Sequence, residues 1–187
     1  MNNSYAVSAP VYPDLVRMLG MTSSYNAALF ADQIIPYLLE TWLNHYDLAG
    51  SGGEVAHVHV NELSYFFDIG PDRLIAAWGI SEGRFAGDRD KSRMQGYPVT
   101  NRPVYHAGHA IPHRFGGGTD INLTAQLGKV NIGPFREIET RAVRTPGSLY
   151  FTYWMYGRDS TAQLAQRVQQ GLLIPGSHPE IRIFKNR

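Results

Sequence analysis

The side chains with the most chemical potential in this chain lie between positions 106 and 144. Gly108-His109 closes a short apolar run, which puts an imidazole where backbone can approach a ligand closely. Asn122, Gln126 and Asn131 follow. Asn131 is expected to open a helix that carries Glu137 and Glu139. Hydrolysis needs a nucleophilic water, stabilised charge at the attacked centre and a leaving group relieved of charge. An imidazole, with an ordinary pKa of about 6.5, suits the first task. A divalent ion suits the other two. Histidine, then asparagine, then a helical carboxylate is a metal-assisted hydrolase arrangement.

Several elements must position these groups. Arg102 to Ala110 reads as a strand that delivers His109 at its end, and a glycine-rich loop follows. A helix is expected from about Pro134 to Val143, with proline where an early helical position tolerates it. Ser148 to Tyr156 is rich in aromatic and β-branched residues and predicts a backing strand. Glu180 to Lys185 alternates and predicts a last strand at a sheet edge. Asp159 to Gln170, stopped by Gly171, reads as a helix. Upstream, residues 12–20 and 25–49 read as helical, with Pro36 expected to kink or divide the second run. Glu54 to Val60 predicts a short strand, and Glu62 to Trp78 a helical stretch broken at Gly70-Pro71. The class is α+β: a core around His109 and Glu139 on a small sheet, with a mainly helical N-terminal segment.

The order and spacing of these residues resemble a family pattern. That pattern is Asp-Arg-Gly-His, a glycine-rich turn, Asn-Leu-x-x-Gln, Leu-Asn-x-Gly and a helical Glu. Here the corresponding residues are Gly108-His109, Phe115-Gly116-Gly117, Asn122-Leu123 with Gln126, Val130-Asn131-Ile132-Gly133, and Glu139. The chain resembles the DNA/RNA non-specific endonucleases, ββα-metal or His-Me finger nucleases, over roughly residues 102 to 144. The resemblance implies His109 as general base and Asn131 as the direct protein ligand of a single Mg²⁺, for which Mn²⁺ could substitute. It implies that Glu139 holds one of the ion's waters, an exposed helical Glu being the plain alternative. Asn122 enters as a catalytic candidate, and Asn122 and Gln126 either organise the loop or touch substrate. One departure stands out: His106 and Ala107 replace the Asp and Arg of the pattern. This brings the chain closer to the nuclease domains of bacterial toxins.

At 187 residues, 43% hydrophobic and 18% charged, the sequence describes an ordered globular protein. It contains no cysteine, which excludes disulfides and thiolate metal sites. No window reaches the about 20 uncharged apolar residues of a membrane span, and MNNSYAVSAP lacks the features of a signal peptide. The net charge of +1 hides a split. Residues 1–82 carry two basic and nine acidic side chains, a net of −7; residues 83–187 carry fifteen basic and seven acidic, a net of +8. The two parts are read as an acidic N-terminal region and a basic core, or as one continuous domain. The basic part is expected to meet a polyanion, DNA or RNA, unless its charge complements the acidic half. Substrate contacts are expected from Arg84, Arg89, Arg93, Arg102, His106, His113, Arg114 and Gln126, with Lys91, Arg136, Arg141 and Arg144 nearby. The family's transition-state arginine would be Arg84, Arg89, Arg93 or Arg102.

The expected function is a Mg²⁺-dependent non-specific endonuclease, an antagonistic toxin effector released or injected into a target cell and acting in its cytoplasm. An inhibitory immunity protein is the implied partner, with no membrane and no small-molecule cofactor. The alternative is an inactive nucleic-acid-binding or interaction module that keeps the fold, supported by His106 and Ala107. A zinc protease reading of HAIPH fails, because Ala110 stands where the catalytic Glu would be and Pro112 spoils the helix that would align His109 with His113.

Overall fold

The computed structural model describes residues 8–21, 23–50, 53–87, 104–158 and 162–187. α1 (Leu15–Gly20) buries Leu15 and Leu19, one turn apart. Asn26 caps α2 (Ala27–Leu29), its side-chain oxygen accepting the Leu29 N–H at 3.2 Å. Pro36 has no N–H to give to the carbonyl four residues back. The helix does not divide there; a π turn (Phe30–Ile34), closed by Ile35 N–H on Phe30 O, widens the coil ahead of the ring. α3 (Ile35–Leu48) continues it and buries Leu38, Trp42, His45 and Tyr46 along one stripe.

The chain then turns to strands. β1 (Val55–Val60) and β2 (Leu63–Asp68) form a hairpin whose two-residue loop, Asn61-Glu62, has both φ angles positive, 49° and 62°. β3 (Arg73–Ile80) returns antiparallel to β2. The helical reading of residues 62–78 is therefore corrected, and with it the mainly helical character of the N-terminal segment. LSYFFD and RLIAAWGI are apolar on successive residues because both faces of these strands are covered, so they show no period of two.

Downstream, β4 (Tyr105–His109) and β5 (Leu123–Leu127) make a separate two-stranded hairpin. One turn of helix, α4 (Gly128–Asn131), precedes α5 (Phe135–Arg144), and β6 (Leu149–Met155), β7 (Arg167–Leu173) and β8 (Glu180–Lys185) complete the chain. The main sheet is antiparallel, six-stranded and ordered β1-β2-β3-β6-β7-β8. The class is α+β. β8 is an edge strand, as its alternation predicts. The pairing of β3 with β6 runs the sheet across position 82, so the acidic and basic parts share it.

The helix expected over residues 159–170 is corrected as well. Its last part is the interior strand β7, where Gln169 and Gln170 are buried polar side chains with hydrogen bonds to match. Gln169 accepts from Tyr12 Oη at 2.5 Å and donates to Pro10 O at 2.7 Å. Gly171 is no helix stop: it pairs with Phe151, whose ring occupies the space a Cβ would need.

Two layers cover this sheet. On one face Trp42 of α3 packs on Trp78, Phe151 and Tyr153 at ring separations of 5.7, 5.2 and 5.9 Å. On the other, Phe115 meets Tyr150 at 5.6 Å and Phe135 of α5 meets Phe184 at 5.5 Å. Asn186, fully buried, ties the β4–β5 hairpin to the sheet: it accepts the Leu127 N–H and donates to Ala125 O and Ala165 O, all within 3.0 Å. Among the described residues no helix is long and apolar enough to cross a membrane.

Candidate active site

β4 alternates as a strand must, and its alternation decides which side chains reach the site. Ala107 and His109 line a cavity of about 540 Å³ between the hairpin, the following loop and α5. His106 and Gly108 therefore turn the other way. His106 is exposed, packs over Gly128 and does not line the cavity, so the expected substrate contact is not among the residues brought together there. Its register partner Gln126 shares that far face and is fully buried, without a hydrogen-bond partner for either amide atom among the described residues. Gln126 does not touch the cavity either. Its side chain fills the space a Cβ at position 108 would take, which explains why glycine precedes His109.

Asn122 does not line the cavity; of the roles expected for it, its bonds are those of a loop organiser. It is fully buried, its Oδ1 accepts the Ile111 N–H at 2.8 Å, and its Nδ2 donates to Ile111 O at 2.8 Å and Gly118 O at 2.9 Å. Its backbone carbonyl accepts the Ala110 N–H at 2.8 Å. Asn122 thus clamps the loop immediately after His109, and Gly117 is required because a Cβ there would run into Ile111 O and the Asn122 amide. The same loop carries a 3₁₀ turn, His113–Phe115, in which Phe115 is anchored on Tyr150 while His113 and Arg114 line the cavity.

Asn131 lines the cavity from the last position of α4, half-buried. The sequence expectation that Asn131 opens α5 is corrected; Pro134 holds the position ahead of that helix. α5 presents two stripes. Phe135, Ile138 and Ala142 are fully buried against the sheet, whereas Arg136, Glu139, Thr140, Val143 and Arg144 face the cavity at helical spacing. Glu137 and Arg141 turn to β8: Glu137 pairs with Arg182 at 2.7 Å, and Arg141 pairs with Glu180. Arg84, on the segment after β3, completes the wall. Of the predicted residues, His109, Asn131, Glu139, Arg84, His113 and Arg114 come together. Arg89, Arg93 and Arg102, with Lys91, lie outside the described residues. The expected site omitted Thr140 and Val143, which lie four positions after Arg136 and Glu139 and so on the same helical stripe.

The electrostatics are uneven. Four arginines and one carboxylate surround the cavity, a setting for an anion. Burial pushes the Glu139 carboxyl up to about 7, against a smaller lowering by the Arg136 charge. Tyr150, fully buried beneath, is raised well above its ordinary value by burial and then by the Glu139 charge. Among the described residues no three His, Cys, Asp or Glu side chains gather at one point, the donor set a side-chain zinc cage would use.

The raised Glu139 has a consequence for stability. The folded protein holds this proton more tightly than the unfolded chain, so the contribution favours folding at low pH. It is lost as pH rises from about 4.5 through about 7. In EDTA, the Tm of the wild type relative to Glu139→Gln is expected to fall between pH 5 and pH 8. Parallel Tm–pH curves for the two proteins would show that the carboxyl is not desolvated.

No protein-family model matches the chain and no curated protein matches it, so the reading of this cavity rests on its own residues and geometry.

Proposed function

We propose that this protein is a metal-dependent endonuclease that hydrolyses nucleic-acid phosphodiesters, with His109 as general base and one Mg²⁺ held at Asn131 and Glu139. The observation that carries this reading is the convergence of an imidazole, an amide, a carboxylate and four arginines on one cavity. We read the β4–β5 hairpin and α5, with His109 ending the first strand and Glu139 on the helix, as a ββα-metal core.

The donor set fits Mg²⁺. Amide and carboxylate oxygens are hard ligands, and so few of them leave the ion most of its water. A carboxylate raised by burial is also one that a nearby cation relieves. Bound there, Mg²⁺ would polarise the phosphoryl oxygen and offset charge on the leaving oxygen, and Mn²⁺ shares the same ligand preference. His109 takes a proton from the attacking water as the water oxygen bonds to phosphorus and the bond to the leaving sugar oxygen breaks. The guanidinium forks of Arg84, Arg114, Arg136 and Arg144 hold the phosphate and spread its developing charge.

Position 107 bears on the rival reading, an inactive binding module. Ala107 faces the cavity at the point where the resembled pattern carries Arg. That cation is missing, yet four others line the same cavity from the segment after β3, the 3₁₀ turn and α5, so the site keeps positive charge for a phosphate. By the same resemblance we read the protein as an antagonistic effector acting in a target cell's cytoplasm, with an immunity protein as its inhibitor.

Incubation with plasmid DNA tests the reading: cutting in Mg²⁺ or Mn²⁺ that stops in EDTA supports it. Asn131→Ala is expected to raise the Mg²⁺ concentration for half-maximal cutting by about tenfold or more, since loss even of a group that only orients a metal ligand costs about 10- to 100-fold. Cutting that ignores EDTA would remove the metal from the mechanism, and DNA bound but never cut would favour the inactive module.

A further inference from the structure

At the rim of the cavity stands an aromatic ring that the hydrolytic chemistry does not use. Phe85 follows Arg84, and its backbone N–H donates to Arg114 O at 2.8 Å, so the residue is tied between two cavity-lining arginines. Its ring meets the cavity-lining His113 at 5.8 Å and 77°, edge to face. On another side Gly87 lies so close that any Cβ there would collide with the ring's Cε1–Cζ edge. Held from two sides, Phe85 is still 49% exposed.

A lone exposed apolar side chain is ordinary on a protein surface. This one is set between two cations, Arg84 and Arg114, with the polar ring of His113 beside it. An apolar protein surface would gain little from desolvating those charges. The ligand that matches both features is anionic and aromatic together, as a nucleotide is.

Resting on the nuclease reading, we propose that Phe85 is a stacking platform for one base beside the scissile phosphate, so that the site prefers a single-stranded polynucleotide. A phenyl face can stack on a base only where that base has left its neighbour. Single strands offer such bases freely, whereas a duplex must first unstack or flip one. The arginines then take the phosphate without regard to sequence, and the ring selects strand state rather than base identity.

Affinities for a single-stranded oligonucleotide carrying 2-aminopurine and for the corresponding duplex, measured on His109→Ala protein, test this directly. Adding Phe85→Ala is expected to weaken single-strand binding by about 5- to 100-fold, the range for loss of one base stack, and to change duplex binding by less than about twofold. Phe85→Trp should restore binding and quench 2-aminopurine fluorescence, whereas Phe85→Leu, apolar but without a π face, should not. Equal losses on both substrates, no loss on either, or full rescue by Leu would overturn the platform while leaving the nuclease reading intact. Absence of any binding or cutting of nucleic acid by otherwise wild-type protein would end the nuclease reading, and this inference with it.

Discussion

Replacing His109 with Ala is expected to lower phosphodiester cleavage by about 10² to 10⁴, the usual worth of a positioned general base. Three features make the loss specific to chemistry. The imidazole ends β4 on the cavity side of the strand, so its removal opens space toward the cavity and not within the sheet. The loop that follows is held by Asn122, whose amide and backbone carbonyl bind Ile111, Gly118 and Ala110 independently of the His109 ring. The four arginines that would hold the phosphate come from other positions. Circular dichroism, Tm and nucleic-acid affinity should therefore stay close to those of the wild type while the rate falls. His113→Ala is the control, since His113 lines the same cavity from the 3₁₀ turn and is expected to cost less. A His109→Ala protein that cuts at the wild-type rate would leave His109 a structural role only.

What the sequence revealed, and what it hid, follows from where each residue packs. α5 was legible because its core stripe and its cavity stripe both repeat at helical spacing, Phe135, Ile138 and Ala142 against Arg136, Glu139, Thr140 and Val143. β6 was legible because SLYFTYWMY admits little else. β2 and β3 were hidden by burial on both faces, which erases the alternation that marks a strand. β7 was hidden by Gln169 and Gln170, polar residues that suit a helix surface but here serve buried bonds: Gln170 donates to Phe135 O and Tyr150 Oη, both at 2.9 Å. Within the site, identity was easier to read than direction. Spacing singled out His106, Asn122 and Gln126 along with His109, Asn131 and Glu139, but spacing does not say which way a side chain points. Counting back from His109 in twos would have kept Ala107 and turned His106 away. The bonds of Asn122 depend on how the loop folds back on itself, a tertiary fact that no local pattern carries.

The largest effect expected on binding comes from the cavity arginines. For an inactive His109→Ala protein, affinity for duplex DNA should fall steeply with salt, each neutralised phosphate adding roughly −0.9 to the slope of log affinity against log salt. If Arg84, Arg114, Arg136 and Arg144 each meet a phosphate, those contacts alone are worth on the order of 10² in affinity between 50 and 200 mM salt. Converting all four to Ala should flatten the slope by up to about three to four units, and similarly for unrelated sequences, because phosphate contacts carry no base information. Arg141 and Arg182 are the informative controls. Both lie in the basic half, but Arg141 is paired with Glu180 and Arg182 with Glu137 and Glu180, so their replacement should barely move the slope. The competing account is that the basic half exists to complement the acidic one. Against it, the pairs Arg17–Asp14 and Arg73–Asp68 join charges within residues 1–82, and Arg141–Glu180 and Arg182–Glu137 join charges within residues 83–187. Each half thus carries ion pairs of its own, and the arginines at the cavity face solvent, where a polyanion can reach them. Binding that ignored salt, or a slope unchanged in the fourfold variant, would show that these arginines do not hold phosphates, and the cavity's positive charge would need another purpose.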